Sequence, residues 1–164
     1  MFIMIDAQGY RANVGIILSN REGRLFWGKR TGMNAWQFPQ GGIERNESIE
    51  KAMYRELHEE TGLESHHVEI IGTTGNWLRY KLPKRYVRYN CTPVCIGQKQ
   101  KWYLLKLVVD ESKVNLTRSY KPEFDNWRWI DFWKPVKEVV RFKRQVYRRA
   151  LGYFEPMLFP DTEY

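Results

Sequence analysis

The sequence predicts an α/β domain in which helices are layered on a sheet. Short apolar runs of strand length alternate along the chain with two segments of helical period. The 164 residues suit one domain, and 43% of them are hydrophobic, enough to fill a sizeable core. No uninterrupted apolar stretch approaches the roughly 18 residues that a membrane span needs, so no membrane partner is expected. No internal repeat or low-complexity tract breaks the pattern.

Residues 12–18 read as a buried strand and residues 24–28 as its hairpin partner across the turn formers of 19–23. Residues 31–47 hold Pro39 and three glycines and are expected to be loop. Residues 48–61 form a helix, with Gly62 suited to the left-handed position just past its end. Residues 68–73, 77–82 and 86–90 read as strands of a meander with a basic tip. A strand with a strong apolar core follows at 101–109 and a short one at 127–130. Pro135 is well placed in the first turn of a helix, and a last helix is expected from about residue 142 to 154. The domain is assigned to residues 9–152, leaving 153–164 as a tail whose last residues, 160–164, should fray. Residues 1–5 are apolar but too short for a signal peptide and lack its basic start, and Met4 is a candidate initiator.

Net charge is +8 and the isoelectric point about 9.5, which points to a polyanionic partner. The charge is clustered. Arg79, Lys81, Lys84, Arg85 and Arg88 fall close together, Lys99 and Lys101 follow, and Arg141, Lys143, Arg144, Arg148 and Arg149 load the last helix. Trp77, Tyr80, Tyr86, Tyr89, Trp102, Tyr103 and Phe142 are interleaved with them. Cations among stacking surfaces suit a single-stranded nucleic acid, although most large aromatics belong to cores. Two cysteines, Cys91 and Cys95, are too few for a zinc site and are expected as reduced thiols of a cytoplasmic protein.

Residues 41–63 are the most informative stretch. On a helical wheel Ile49, Ala52, Met53 and Leu57 share one side, while Glu50, Lys51, Tyr54, Arg55 and His58 share the other. Glu56, Glu59 and Glu60 do not join the polar side. They extend the apolar stripe, all within roughly a 100° arc. A glutamate run is ordinarily a solvated face, but no lysine one turn on neutralises this one. Three inward carboxylates should repel and lose solvation. A bound divalent cation with oxygen ligands is the simplest thing that makes the arrangement tolerable. Arg55 and Glu47 are plausible partners across the junction of loop and helix.

Gly41, Glu47, Arg55-Glu56-Leu57, Glu59-Glu60 and Gly62 stand at the spacing of the Nudix box, and every defined position of that signature is filled. The chain therefore resembles the Nudix hydrolases. Segments outside the box narrow the likeness to the bacterial RNA pyrophosphohydrolase branch over roughly residues 5–155. They include Trp36-Gln37-Phe38-Pro39-Gln40-Gly41-Gly42, Cys95-Ile96-Gly97-Gln98-Lys99-Gln100-Lys101-Trp102 and Pro122-Glu123-Phe124-Asp125. Ala12 stands where that branch has a proline.

The resemblance implies an α/β/α sandwich with a mixed, curved sheet. It implies a magnesium-dependent hydrolase, with manganese able to substitute, that cuts phosphoanhydrides by attack of water on phosphorus. Glu56, Glu59, Glu60 and Glu123 would hold metal, with Glu56 as the water-activating base and Glu123 as a further metal ligand or acid–base group. Gly41 and Gly42 would let the backbone pass close to metal and phosphates. Arg11 and Arg30 match phosphate-binding positions, with Lys29 and Arg85 as second-rank candidates. Val140, Phe142 and Lys143 match a base pocket, yet Val139, Phe142 and Val146 also fall at the spacing of a buried stripe. The implied activity converts 5′-triphosphate or 5′-diphosphate RNA ends to monophosphates, in a protein expected to be a monomer. Hydrolysis of dinucleoside polyphosphates such as diadenosine tetraphosphate is the first alternative, and a catalytically silent RNA-binding module the second.

Overall fold

A computed structural model describes residues 4–160. Its centre is strand β1 (Tyr10–Ser19), every residue of which from Ala12 to Ser19 is buried. Burial on both faces explains its near-continuous apolar run. A turn joins β1 to β2 (Leu25–Arg30), and there the Asn20 Oδ1 accepts the amides of Glu22 and Arg24 at 3.0 and 2.9 Å. The loop expected over 31–47 contains two short strands, β3 (Trp36–Gln37) on β2 and β4 (Gln40–Gly42) on β1. Strands of two and three residues are too short to leave a periodic signal.

Helix α1 (Ile49–Thr61) leads to β5 (Val68–Thr73) and β6 (Leu78–Lys81). Both pair antiparallel with β7 (Gly97–Leu107), which runs parallel to β1 from Tyr10↔Gly97 to Ser19↔Lys106. Strand β8 (Phe124–Ile130) pairs with β2 and is longer than expected, because its register continues to Arg30↔Phe124. The short helix α2 (Lys134–Glu138) begins with Pro135 in its first turn, and α3 (Arg144–Leu158) closes the described chain. Helix α3 therefore runs past residue 154. The fraying expected at 160–164 falls, beyond Pro160, outside the described residues.

One expected strand is absent. Of residues 86–90, Tyr86 ends a 3-10 turn that begins at Lys84, and 87–90 form no ladder. Pro83 ends β6 with no amide to donate, and β7 begins only opposite Lys81. Tyr86 and Tyr89 are consequently exposed rather than alternating into a core. Strand β7 begins four residues earlier than expected, because polar Gln98, Lys99 and Gln100 hide its start.

The sheet separates two apolar layers. Ile17, Trp27, Trp102 and Leu104 pack under α3 with Val146, Tyr147, Leu151 and Phe154. Val14, Ile16, Phe26 and Leu105 pack under α1 with Ala52, Met53 and Leu57. Alternate residues of the same strands thus serve opposite layers, as the pleat demands. The result is the expected helix–sheet–helix sandwich.

Candidate active site

The entry to α1 is tied down by a charged knot. Ser48 caps the helix by accepting the Lys51 amide at 3.1 Å, and Gly62 adopts φ 74° at the other end, its N–H bonded to His58. Arg55 donates twice to the Glu47 carboxylate at 2.8 Å, once to the Gly42 carbonyl at 2.8 Å and once to Glu56 Oε1 at 2.7 Å. Glu47 Oε1 accepts the Glu44 amide at 3.0 Å. The hydrogen bond from Arg55 is the main reason the Glu47 carboxyl titrates below its usual range. Loop and helix are therefore locked together, and the expected pairing of Glu47 with Arg55 forms.

The three inward glutamates are not equivalent. Glu56 is 8% exposed and Glu60 6%, whereas Glu59 is exposed and sits 3.6 Å from Arg55 at the rim. The reason is angular: Glu59 lies at the edge of the arc shared by the other two. Burial pushes the Glu56 carboxyl up to about 7 despite the bond from Arg55, and Glu59 and Glu123 add to the rise. Burial also holds Glu60 well above the ordinary value, reinforced by Glu56 and Glu123 and opposed by the Gln40 amide at 3.0 Å. A Cβ on Gly41 would fall 1.9 Å from the Glu56 carboxylate carbon, and one on Gly42 would fall 2.7 Å from an Arg11 nitrogen. A side chain at either position would push aside the acid or the guanidinium that occupies that space.

Glu56 and Glu60 open into a cavity of about 410 Å³. Arg11, Arg30, Gly41, Gly42, Glu123, Phe142 and Lys143 line it together with Asn13, Gln37, Gln40, Tyr80, Leu82 and Gln98. Glu123 comes from the segment before β8 and pairs with Arg30 at 3.4 Å. Its backbone is held by the Thr31 amide at 2.9 Å, while the Thr31 hydroxyl donates to the Pro122 carbonyl at 2.8 Å. Lys143 is buried and donates to Gln37 Oε1 at 3.2 Å. Burial, then Arg30, lowers its ammonium to about 8, against the pull of Glu123 and Glu60.

The donor set suits a hard divalent cation. It offers carboxylates that raise one another's proton affinity, and the buried side-chain carbonyl oxygen of Gln98, in the same cavity wall, has no hydrogen-bond donor. Among the described residues, the one group of three ligating side chains whose donor atoms all lie within 4.8 Å is elsewhere, at Glu64, His66 and His67 just past α1. In the cavity Arg55 draws Glu56 toward the loop and Arg30 draws Glu123 aside.

A second, more apolar hollow of about 500 Å³ adjoins the first, and Arg30, Gln37, Leu82, Phe142 and Lys143 line both. Its other walls include Met33, Trp36, Tyr86, Val139 and Val140. Val140 is 45% exposed. Phe142 lies on a 3-10 turn ahead of α3, half-buried, with Tyr80 and Tyr86 rings at 5.9 and 6.0 Å. Trp36, under the Arg128 guanidinium at 4.5 Å, is part of the resemblance but has no site role in the sequence alone. The amide side chains of β1, β4 and β7 have none there either, although polar residues at alternate positions of a strand were the available signal. Two expected phosphate ligands lie outside both cavities. Lys29 is held by Asp125 at 2.9 Å, and Arg85 is exposed and stacks on Tyr86 at 4.8 Å.

Comparison with known proteins follows the same lines. The family model of the NUDIX domain matches residues 9–150. An RNA pyrophosphohydrolase of Thioalkalivibrio sulfidiphilus is 63% identical over 158 residues, covering 96% of this chain and 91% of its own. One of Vibrio cholerae is 58% identical over 160 residues, covering 98% and 93%. Among solved structures, the E. coli dihydroneopterin triphosphate pyrophosphohydrolase shares the fold with a TM-score of 0.68 at 16% identity, over 87% of this chain and 95% of that one. A C. elegans Ap4A hydrolase does so with a TM-score of 0.62 at 18% identity, over 88% and 97%.

Proposed function

The chain belongs to the NUDIX domain family, and from that premise we propose that it is an RNA pyrophosphohydrolase. It removes diphosphate or phosphate from the 5′-triphosphate or 5′-diphosphate end of RNA and leaves a 5′-monophosphate, which opens messenger RNA to decay in the cytoplasm. One observation carries the reading beyond the relatives' names. A cavity with buried carboxylates and two arginines is continuous with an aromatic hollow of the size and character that an unpaired base needs.

Magnesium, or manganese in its place, would supply charge neutralisation at the phosphates and a more acidic water. Glu56, Glu59, Glu60 and Glu123 would hold it. A carboxyl with proton affinity near neutrality is suited to take the proton of an attacking water, and Glu56 fills that role. The water oxygen bonds to phosphorus, the anhydride P–O bond breaks, and the departing phosphate takes the electron pair. Arg11 and Arg30 clamp the phosphates. Arg11 Nε is a buried donor without a partner, a group ready for an anion. Arg30, which now pairs with Glu123, would be free to take phosphate where Glu123 is among the residues that would hold the cation. Val140, Phe142 and Lys143 receive a base, and the chain acts as a monomer.

The test is direct. Purified protein with magnesium and RNA labelled in its 5′ phosphates should release labelled diphosphate or phosphate and leave monophosphate-ended RNA. Release from a dinucleoside polyphosphate with the RNA untouched would favour the alternative hydrolase, and no release from either would leave a binding module.

A further inference from the structure

We propose that the sheet face opposite the catalytic cavity carries a second RNA-binding surface, built on Trp77 just before β6, Arg79 of β6, Lys99 and Lys101 of β7, and Tyr10 of β1. It rests on the RNA reading above and adds a track for the strand downstream of its 5′ end.

Alternation along the strands defines the surface. Arg11, Gln98 and Tyr80 point to the cavity, whereas their neighbours Tyr10, Lys99 and Arg79 point to the other face. There the Lys99 and Lys101 ammonium groups lie over the Trp77 ring at 5.0 and 5.2 Å, and Arg79 lies over Tyr10 at 5.7 Å. Arg79 and Lys99 are direct cross-strand partners. Like charges in that relation destabilise a sheet, and a single carboxylate, Asp6 beside Lys99, answers the pair. Arg45 and Lys99 line the adjoining hollow of about 500 Å³, where the acidic member is Asp6, 3.1 Å from Lys99.

Charge on an edge strand can serve to discourage pairing with other chains. That accounts for Arg79 on β6 but not for Lys99 and Lys101, because β7 pairs with β1 on its other side; there Lys99 meets Asp6 and Lys101 donates to the Gly75 carbonyl, and each keeps further donors for a phosphate. Flat aromatic rings ringed by cations are what successive bases and phosphates of a single strand require. The route is short. Leu82 lines the catalytic cavity, and among the described residues β6 pairs with β7 alone, so a strand leaving the cavity can cross that margin past exposed Lys81 and Arg79.

The experiment compares the full chain with its Arg79→Gln/Lys99→Gln/Lys101→Gln variant on a 5′-triphosphate dinucleotide and on a 5′-triphosphate single strand of about twelve nucleotides. Thermal melting verifies folding. The proposal requires the KM for the longer RNA to rise about tenfold while the dinucleotide is unaffected. Binding of the corresponding 5′-monophosphate oligomer, which needs no hydrolysis, should weaken similarly. Its salt slope should flatten by about 2, near 0.7 for each of three lost contacts. Equal effects on both substrates, or unchanged oligomer binding, would overturn it. Failure of the unaltered chain to hydrolyse either substrate would instead overturn the activity, and the oligomer binding would still decide the surface.

Discussion

Two buried carboxylates that nothing neutralises in full, Glu56 and Glu60, are the chemical centre of this molecule. Arg55 answers one oxygen of Glu56, and the Gln40 amide answers one of Glu60. Substituting either by glutamine keeps shape and removes charge, so Glu56→Gln and Glu60→Gln should each lower kcat by about 100-fold or more in saturating magnesium. Circular dichroism should show the fold unchanged, and near-normal turnover by either variant would remove the assignment. The same residues set a pH dependence. Glu56 holds its proton to about pH 7 in the folded chain, against an ordinary value of 4.5. The folded state thus binds that proton more tightly than the unfolded one. The stabilisation is complete below about 4.5 and is lost as pH rises through 7. Melting of the metal-free chain across that window should therefore fall more steeply than melting of Glu56→Gln. Parallel curves would show that Glu56 is not desolvated.

Between residues and molecule stand the elements that aim them. Helix α1 presents Glu56 and Glu60, the end of β2 presents Arg30, and Thr31 just after it holds the segment that carries Glu123. Removing the hydroxyl bond in Thr31→Val should lower kcat more than it changes KM, whereas Thr31→Ser should restore it. Equal kinetics for both variants would show that the bond does not position Glu123. Phe142 shares both hollows, so Phe142→Ala should raise the KM for RNA by about 10–100-fold. Because the ring is only half-buried, the stability loss should be below the ~3–5 kcal/mol of a full core truncation. A large fall in melting temperature with normal RNA kinetics would place Phe142 in the core instead. Elements also show what the sequence could reveal. Helix α1 was legible because thirteen residues repeat one period and glycine marks its end. Strands β3 and β4 were not, being held by register with longer neighbours rather than by their own pattern. Residues 86–90 had a strand's composition but no neighbour left to pair with. Glu59 shares the roughly 100° arc of Glu56 and Glu60 but lies at its edge, and where the edge meets solvent depends on the neighbouring elements and not on the helix alone. The amide side chains around the carboxylates left only an alternation of polar residues, and asparagine and glutamine acquire meaning only once β1 and β7 are adjacent.

At the scale of the whole chain, a net charge of +8 coexists with a catalytic cavity built on acids. The cations sit around it, in Arg11 and Arg30 at its wall and in the exposed turn of Lys84 and Arg85 beyond it. A polyanion is drawn to such a molecule by its length and held by its end. A dinucleoside polyphosphate has only the end to offer. The most direct measurement is therefore kcat/KM for 5′-triphosphate RNA, 5′-diphosphate RNA and diadenosine tetraphosphate, taken side by side with magnesium at one salt concentration. An RNA pyrophosphohydrolase should prefer the RNA ends by about tenfold or more and lose that preference as salt rises. A preference for diadenosine tetraphosphate that salt does not change would contradict it.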